Sequence, residues 1–251
     1  MNEFVIIIPA RLDSSRLKNK MLAEIGGIPM ICHAAERATE SNIGSVLVGT
    51  DSEEIKNTCT QRGLNVMMTD PKHQSGTDRV FEVLEKIDPG KQYKYVINLQ
   101  GDIPFINPRI IEELANKISH SDADILTLAS KHNCNEKSAD PNVVNVAISF
   151  YDKEKKFGRA LYFSRQAIPH NAKDFYEHVG IYLYRREALE KFVKITDSEL
   201  ETSEKLEQLR ALEHHMKIDV CIVEDTPINI DTQKGLEMAR TYYEKTPPIQ
   251  S

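Results

Sequence analysis

The chain lacks the glycine-rich fingerprints of the common nucleotide-binding loops. It has no G-x-x-x-x-G-K-[ST] and no G-x-G-x-x-G after its first apolar run. A Walker-type phosphate cradle and a dinucleotide fold are therefore unsupported, and kinase and dehydrogenase chemistry lose their main warrant. It also lacks any long Lys/Arg run and carries a formal charge of -6. Nucleic acids and anionic membranes reward clustered positive charge, so small molecules are the expected partners. No window approaches the roughly 20 apolar residues that a spanning helix requires. The short run in MNEFVIIIPA follows an acid and has neither a positive leader nor a small-residue cleavage site, so it reads as a buried strand. Cys32, Cys59, Cys134 and Cys221 lie far apart without a C-x-x-C pair. Neither a zinc knuckle nor a disulfide framework is indicated, and the expected setting is the reducing cytoplasm.

The 251 residues, 40% hydrophobic and 28% charged, suit one globular unit. Apolar runs at Phe4–Ile8, Val46–Gly49, Val66–Met68 and Tyr95–Leu99 read as strands. Helical patterns alternate with them at Met30–Thr39, Glu53–Arg62, Thr77–Ile87 and Pro108–Ser119. That alternation predicts parallel pairing in a three-layer α/β/α sheet, with ligands beyond the carboxyl ends of the strands. From Ile125 to Tyr184 four strands follow with little room for crossover helices, which predicts a mixed or antiparallel insertion. Helices at Glu187–Lys194 and Glu204–His215, a strand at Asp219–Val223 and a helix at Lys234–Lys245 close the pattern. The expected organisation is a single domain over 1–245 and a loose tail over 246–251.

After the first strand come Pro9, Ala10 and a loop with Arg11, Arg16, Lys18 and Lys20, four cations within ten positions. A solvated basic turn would look the same, but the place beyond a first strand is where a ligand binds. Fixed cations there offset the charge of a triphosphate and of departing pyrophosphate. Two acids stand where strands are expected to give way to loops: Asp102 in Gln100-Gly101-Asp102-Ile103-Pro104 and Asp231 in Asn229-Ile230-Asp231-Thr232. If the strands neighbour each other, the two carboxylates converge, and two are enough for magnesium when phosphates and water supply its other ligands. A lone aspartate of this kind also commonly forms a turn, and Asp231 could cap the last helix. Asp51, in Asp51-Ser52-Glu53-Glu54, is explained by a helix capping box. In His73-Gln74-Ser75-Gly76-Thr77-Asp78-Arg79 a permissive glycine and free backbone N–H groups would let a base or sugar approach, although a plain helix start explains the run as well.

These segments resemble sugar-activating cytidylyltransferases. Residues 9–22 are similar to their R-x-x-S-x-R-L-P-x-K signature, with Lys18 where the pattern has proline. Gln100–Pro104 and Ile230–Thr232 resemble the Q-G-D-x-P and V-D-T elements of the 3-deoxy-manno-octulosonate (Kdo) cytidylyltransferase family, with Ile103 in place of its usual glutamate. ALYFSR at 160–165, HVGIYLYR at 178–185 and LEQLR at 206–210 resemble further segments of that family, in collinear order.

The resemblance implies a nucleotide-diphospho-sugar transferase-like (Rossmann-like) fold and transfer of CMP from CTP to the anomeric hydroxyl of Kdo, a sugar activation for lipopolysaccharide synthesis. It implies Pro9, Ala10, Arg11, Arg16, Lys20, His73, Ser75, Gly76, Gln100 and Asp102 around the nucleotide. Asp102 and Asp231 would be the ligands of a catalytic Mg2+. For the acid sugar it implies Arg165 on the carboxylate and Gln100, His178, Tyr182, Glu207 and Gln208 on the hydroxyls; an arginine fork suits a carboxylate and the others suit directional hydroxyl contacts. Taken on their own, HVGIYLYR could be a half-exposed strand and LEQLR an amphipathic helix with its charges outward. A homodimer is implied, with its contact in Ile125–Tyr184. Cytidylyl transfer to 8-amino-Kdo or sialic acid, and a CTP-binding protein without turnover, stay open as alternatives.

Overall fold

The computed structural model describes residues 3–12, 16–133, 143–224 and 226–245; part of the basic loop, Cys134 and the tail expected over 246–251 lie outside them. In chain order the elements begin with β1 (Phe4–Ala10), β2 (Glu24–Ile25), β3 (Ile28–Pro29), α1 (Met30–Glu40), β4 (Ser45–Thr50), α2 (Glu53–Gln61), β5 (Val66–Met68) and α3 (Gly76–Ile87). Next come β6 (Tyr95–Asn98), α4 (Pro108–Lys117), β7 (Ile125–Asn133), β8 (Asn145–Phe150), β9 (Phe157–Ser164) and β10 (Asp174–Arg185). The chain continues with α5 (Arg186–Phe192), α6 (Glu199–Glu204), α7 (Gln208–Glu213), β11 (Ile218–Val223) and α8 (Gln233–Lys245). Two compact units emerge: residues 1–93, 98–111 and 227–251, and residues 94–97 with 112–226. The second is wider than the 125–184 segment read from the sequence, because β11 and α5 to α7 belong to it.

In the first unit β1 pairs with β4 and β4 with β5, all parallel, as strand–helix alternation demands. Residues 5–10 of β1 are buried on both faces, and its neighbours show what covers each face. Ile8 and Ile31 of α1 both flank Gly101, whereas Pro9 abuts Gly76 at the start of α3. Successive side chains point to opposite faces of a strand, so the two helices cover opposite sides.

A small hairpin that periodicity missed, β2 with β3, turns at Gly26 and Gly27. Gly26 has φ +59°, and a Cβ there would lie 2.0 Å from the Tyr243 ring, so only glycine fits. Against the hairpin packs a cluster of Leu17, Ile25, Met30, Ile230, Leu236 and Ala239. This cluster pins the basic loop at Leu17 and the approach to α8 at Ile230.

In the second unit the strand order is β6-β10-β7-β11-β9-β8. β7 pairs antiparallel with β10 and parallel with β11, and β9 is antiparallel to both β11 and β8. The expected mixed insertion is present. The helix expected over Glu204–His215 is two helices, because Lys205 adopts the left-handed region at φ +57° and closes α6. Arg210 then reaches back from α7 to Glu201 of α6 with bonds of 2.6 and 2.8 Å. Among the described residues no helix is long and apolar enough to cross a membrane.

Candidate active site

At the carboxyl end of β1 the first unit opens a cleft of about 300 Å³. Every residue expected around the nucleotide and metal lines it: Pro9, Ala10, Arg11, Arg16, Lys20, His73, Ser75, Gly76, Gln100, Asp102 and Asp231. Arg11 and Arg16 are exposed, whereas Lys20 is 9% exposed. Asn19, in the left-handed region, turns the chain into a single 3-10 turn at Lys20–Leu22 that carries the lysine inward.

Lys20 Nζ donates to Asp102 Oδ2 at 2.5 Å and to Asp231 Oδ1 at 2.8 Å, and Arg16 Nη2 lies 3.1 Å from Asp231 Oδ2. The two aspartates do converge, but not through neighbouring strand ends. Asp231 follows an irregular stretch beyond β11. It is brought to Asp102 by the Ile230 N–H, which donates to the Asp102 carbonyl at 3.0 Å. Nor does Asp231 cap α8. Thr232 does, its Oγ1 accepting from Gly235 N–H at 3.1 Å, which leaves Asp231 for the cations. Gly101 packs closely beside Asp102: a Cβ there would sit 2.8 Å from Ile31 Cδ1 and 2.9 Å from Met21 Sδ, so one of those side chains would have to move.

Burial lowers the Lys20 ammonium pKa, but the charges and hydrogen bonds of Asp102 and Asp231 outweigh it and hold the pKa above its usual value. For Asp102 burial wins, pushing its carboxyl up against the pull of Lys20, and Asp231 adds to the push. The two directions agree physically, because one ammonium is shared between two carboxylates and neutralises neither fully. Asp102 Oδ1 is buried without any hydrogen bond. A dry, under-neutralised carboxylate oxygen beside a second carboxylate suits a hard cation with few protein ligands. Among the described residues no group of three or more His, Cys, Asp or Glu could hold a metal. Asp102 and Asp231 therefore fit magnesium in the form that leaves most of its coordination to phosphate and water.

The loop entering α3 forms another wall of the cleft. Ser75 Oγ accepts from Asp78 N–H at 3.1 Å and caps the helix. Gly76 approaches Pro9 so closely that a Cβ would lie 3.3 Å from its ring. Gln100 Nε2 donates to Asn98 Oδ1 at 3.0 Å, and Asn98 Nδ2 to Thr77 Oγ1 at 3.3 Å. Met21, Gln74 and Arg79 also line the cleft and were not foreseen. Arg79 is buried, bonded to Thr69 and, at 2.6 Å, to Asp51. Asp51 is therefore an ion-pair partner, and Ser52 is the residue that caps α2, accepting from Ile55 N–H. The available hint was the arginine that closes the His73–Arg79 run.

The residues expected to hold the sugar, other than Gln100, lie in the second unit. β10 has an irregularity between Val179 and Tyr182. There Thr127 Oγ1 donates to the Ile181 carbonyl at 2.8 Å and lies 3.0 Å from His178 Nε2. Since the hydroxyl's one proton goes to the carbonyl, His178 Nε2–H is the donor of that second bond. Burial pushes His178 down to about 3, which keeps it neutral. Its ring lies 5.4 Å from Tyr182, whose phenol is held well above its usual range by burial and then by Tyr184 and Glu207. Residues 181–184 are all buried, so the half-exposed strand does not apply. Glu207 directly precedes α7 with its Oε1 buried, Gln208 opens the helix, also buried, and Arg210 turns to Glu201, so LEQLR does not simply hold its charges outward. His178, Tyr182 and Glu207 thus share one neighbourhood. Arg165 follows β9, half-buried, its N–H donating to Glu204 Oε2 at 3.4 Å while Ser164 Oγ donates to Oε1 at 2.9 Å.

A parallel sheet with two arginines, a lysine and Asp102 on the loops beyond its carboxyl ends, and a second aspartate held beside them, around one cleft defines a nucleotide-processing α/β protein. Comparison with known proteins agrees. The cytidylyltransferase family model matches residues 5–218. The chain is 46% identical to 3-deoxy-manno-octulosonate cytidylyltransferase of Bartonella tribocorum over 95% of this chain and 97% of that one. It is also 46% identical to the protein of the same name from Nitrobacter winogradskyi, over 95% and 93%. The structure of a CMP:2-keto-3-deoxy-manno-octonic acid synthetase complexed with CTP superposes with a TM-score of 0.89 at 35% identity, covering 97% of this chain and 99% of that one. The chain belongs to the cytidylyltransferase family, and within it to the 3-deoxy-manno-octulosonate cytidylyltransferases.

Proposed function

We propose that this protein transfers CMP from CTP to the anomeric hydroxyl of Kdo, releasing pyrophosphate, and that it does so with Mg2+. The observation that carries the chemistry is the grouping of Lys20 with Asp102 and Asp231; the names of the relatives supply the sugar. The anomeric oxygen attacks the α-phosphorus in line, a new P–O bond forms, and the bond to the β-phosphate oxygen breaks. Arg11, Arg16 and Lys20 neutralise the triphosphate and the charge that grows on the leaving pyrophosphate. Asp102 and Asp231 would hold the magnesium ion, which supplies Lewis acidity at the α-phosphate and lowers the pKa of the attacking hydroxyl. Arg165 grips the sugar carboxylate, and His178, kept neutral, serves as a hydrogen-bond partner rather than a charge. No protein nucleophile takes part.

We place the reaction in the cytoplasm, as a step toward lipopolysaccharide, with the protein as a homodimer. In support of an interface within 125–184, two of the four exposed large hydrophobics among the described residues, Tyr151 and Leu161, fall there, while Met238 and Tyr242 lie on α8. Sedimentation as a monomer at micromolar concentration would overturn the dimer. The reaction itself is tested by pyrophosphate release from CTP with magnesium, offering Kdo, 8-amino-Kdo and sialic acid in turn. Release that depends on Kdo is expected. Preference for another sugar would reassign the substrate, and CTP binding without release under any condition would reduce the protein to a nucleotide binder.

A further inference from the structure

His73 and Glu82 meet across the loop that leads into α3. His73 Nε2 lies 2.5 Å from Glu82 Oε2, and the same oxygen accepts from Asp70 N–H at 2.8 Å. Lys86 Nζ holds the other carboxylate oxygen at 2.6 Å. Glu82 thus ties the two ends of the segment 70–73 to the body of α3, one turn before Lys86. Its carboxyl sits at about 2: burial would raise it, but the bonds from Lys86, Asp70 and His73 pull it lower. An ionised carboxylate can only accept, so the proton of the His73–Glu82 bond is on Nε2. A neutral imidazole with its proton on Nε2 has a bare lone pair on Nδ1, and which nitrogen carries the proton is set by the partner of the other. His73 lines the cleft, and its hydrogen bond to Glu82 occupies Nε2 alone.

We propose that Glu82 is a positioning residue for base selection: by taking His73 Nε2–H it fixes Nδ1 as the acceptor that His73 offers to the exocyclic amine of the nucleobase. This rests on the reading of the cleft as a CTP site and deepens it. Cytosine places an amine where uracil places a carbonyl oxygen. A fixed acceptor therefore gains a hydrogen bond with the first and faces another acceptor with the second. Sites built to hydrogen-bond one partner discriminate best, because the wrong partner leaves a polar group unpaired.

Two measurements test this in the full-length protein. The first is nitrogen NMR of labelled histidine without nucleotide, in which wild type should show His73 protonated on Nε2 and bare at Nδ1. Glu82→Ala should lose that single tautomer. The second is the affinity of CTP against UTP by titration. His73→Gln places an amide group where Nε2 was, so it can still bond Glu82 and hold the loop, but it has nothing at the Nδ1 position. It should lose about ten-fold in preference for CTP, the scale of one hydrogen bond, with the change falling on CTP. His73→Asn, which puts its amide oxygen near the Nδ1 position, should recover part of that preference. Thermal unfolding of each variant shows whether the loop and helix are intact. If His73→Gln folds and prefers CTP as wild type does, or if wild-type His73 carries its proton on Nδ1, the proposal is overturned. A wild type with the expected tautomer but no preference for CTP would overturn the CTP reading and this role with it, whereas loss of the tautomer alone would leave the CTP reading standing.

Discussion

The Ile230 N–H donates to the carbonyl of Asp102 at 3.0 Å, and this one backbone bond locks the loop bearing Asp231 to the loop bearing Asp102. It lets two carboxylates 129 positions apart in the sequence share a lysine, because Lys20 bonds to both. Ile230 is itself fully buried in the cluster with Leu17 and Leu236. The approach of the carboxylates is therefore supported by apolar packing and not only by the charge between them.

Asp102→Asn and Asp231→Asn should each keep the fold, since an amide is nearly isosteric and the backbone bond remains. Each should lower turnover on the order of 100-fold or more, the scale for losing a preorganised charge-stabilising group. The loss should deepen as magnesium becomes limiting. Near-normal turnover at limiting magnesium in either variant would remove that aspartate from the metal site.

Replacing Lys20 by alanine should lower turnover more than it weakens CTP binding, because the charge that the ammonium meets grows as the bond breaks. The substitution also strands Asp102, 13% exposed in its side chain, without its main partner. The midpoint of thermal unfolding should therefore fall, as expected when one member of a buried pair is removed. Magnesium should restore more of the midpoint in this variant than it adds to wild type. A variant whose only change is a raised Michaelis constant for CTP would contradict a transition-state role.

Arg165 distinguishes the sugar from the reaction class. Arg165→Ala should cost about 2 to 5 kcal/mol in the sugar-dependent step, the range for truncating one partner of a desolvated charge pair. Arg165→Lys should recover only part, since it keeps the charge and loses the fork. CTP affinity should survive both changes. Collapse of CTP affinity with a normal dependence on sugar would assign Arg165 to the triphosphate.

His178 should shape stability in acid. Its folded value, pushed down to about 3 by burial, lies below the usual histidine value near 6.5. Between those values the unfolded chain binds a proton that the folded chain refuses, so stability falls as pH drops from about 6.5 toward 3. At neutral pH the penalty is absent. Chemical unfolding from pH 7 to 4 should show this decline in wild type and a shallower one in His178→Gln. Equal slopes would mean that His178 takes up its proton in the folded protein without opposition.

Much of the cleft was legible because its residues sit at strand-to-loop transitions, and such transitions are local events. The apolar run of β1 announces where it ends, so the cations after it could be placed beside a ligand before any contact was known. Gln100 to Asp102 follow the same logic after β6. Asp231 is marked by its motif and by the strand before it, but the contact that brings it to Asp102 is not legible, because it does not run through neighbouring strand ends. The residue lies in an irregular stretch held by Ile230. The division of the helix expected over 204–215 was hidden for a similar reason: Lys205 takes a left-handed conformation that its residue type does not signal.

By itself the sequence determined the alternation of strands and helices, the burial of β1, and the run of cations that follows it, because periodicity and short spacings act within one element or its adjoining loop. Only the tertiary structure decided that Lys20 bridges Asp102 and Asp231, that Asp51 pairs with Arg79, and that Glu82 meets His73. Each of these pairings joins residues from separate elements. Their distance depends on how helices and loops pack, and no spacing along the chain encodes it.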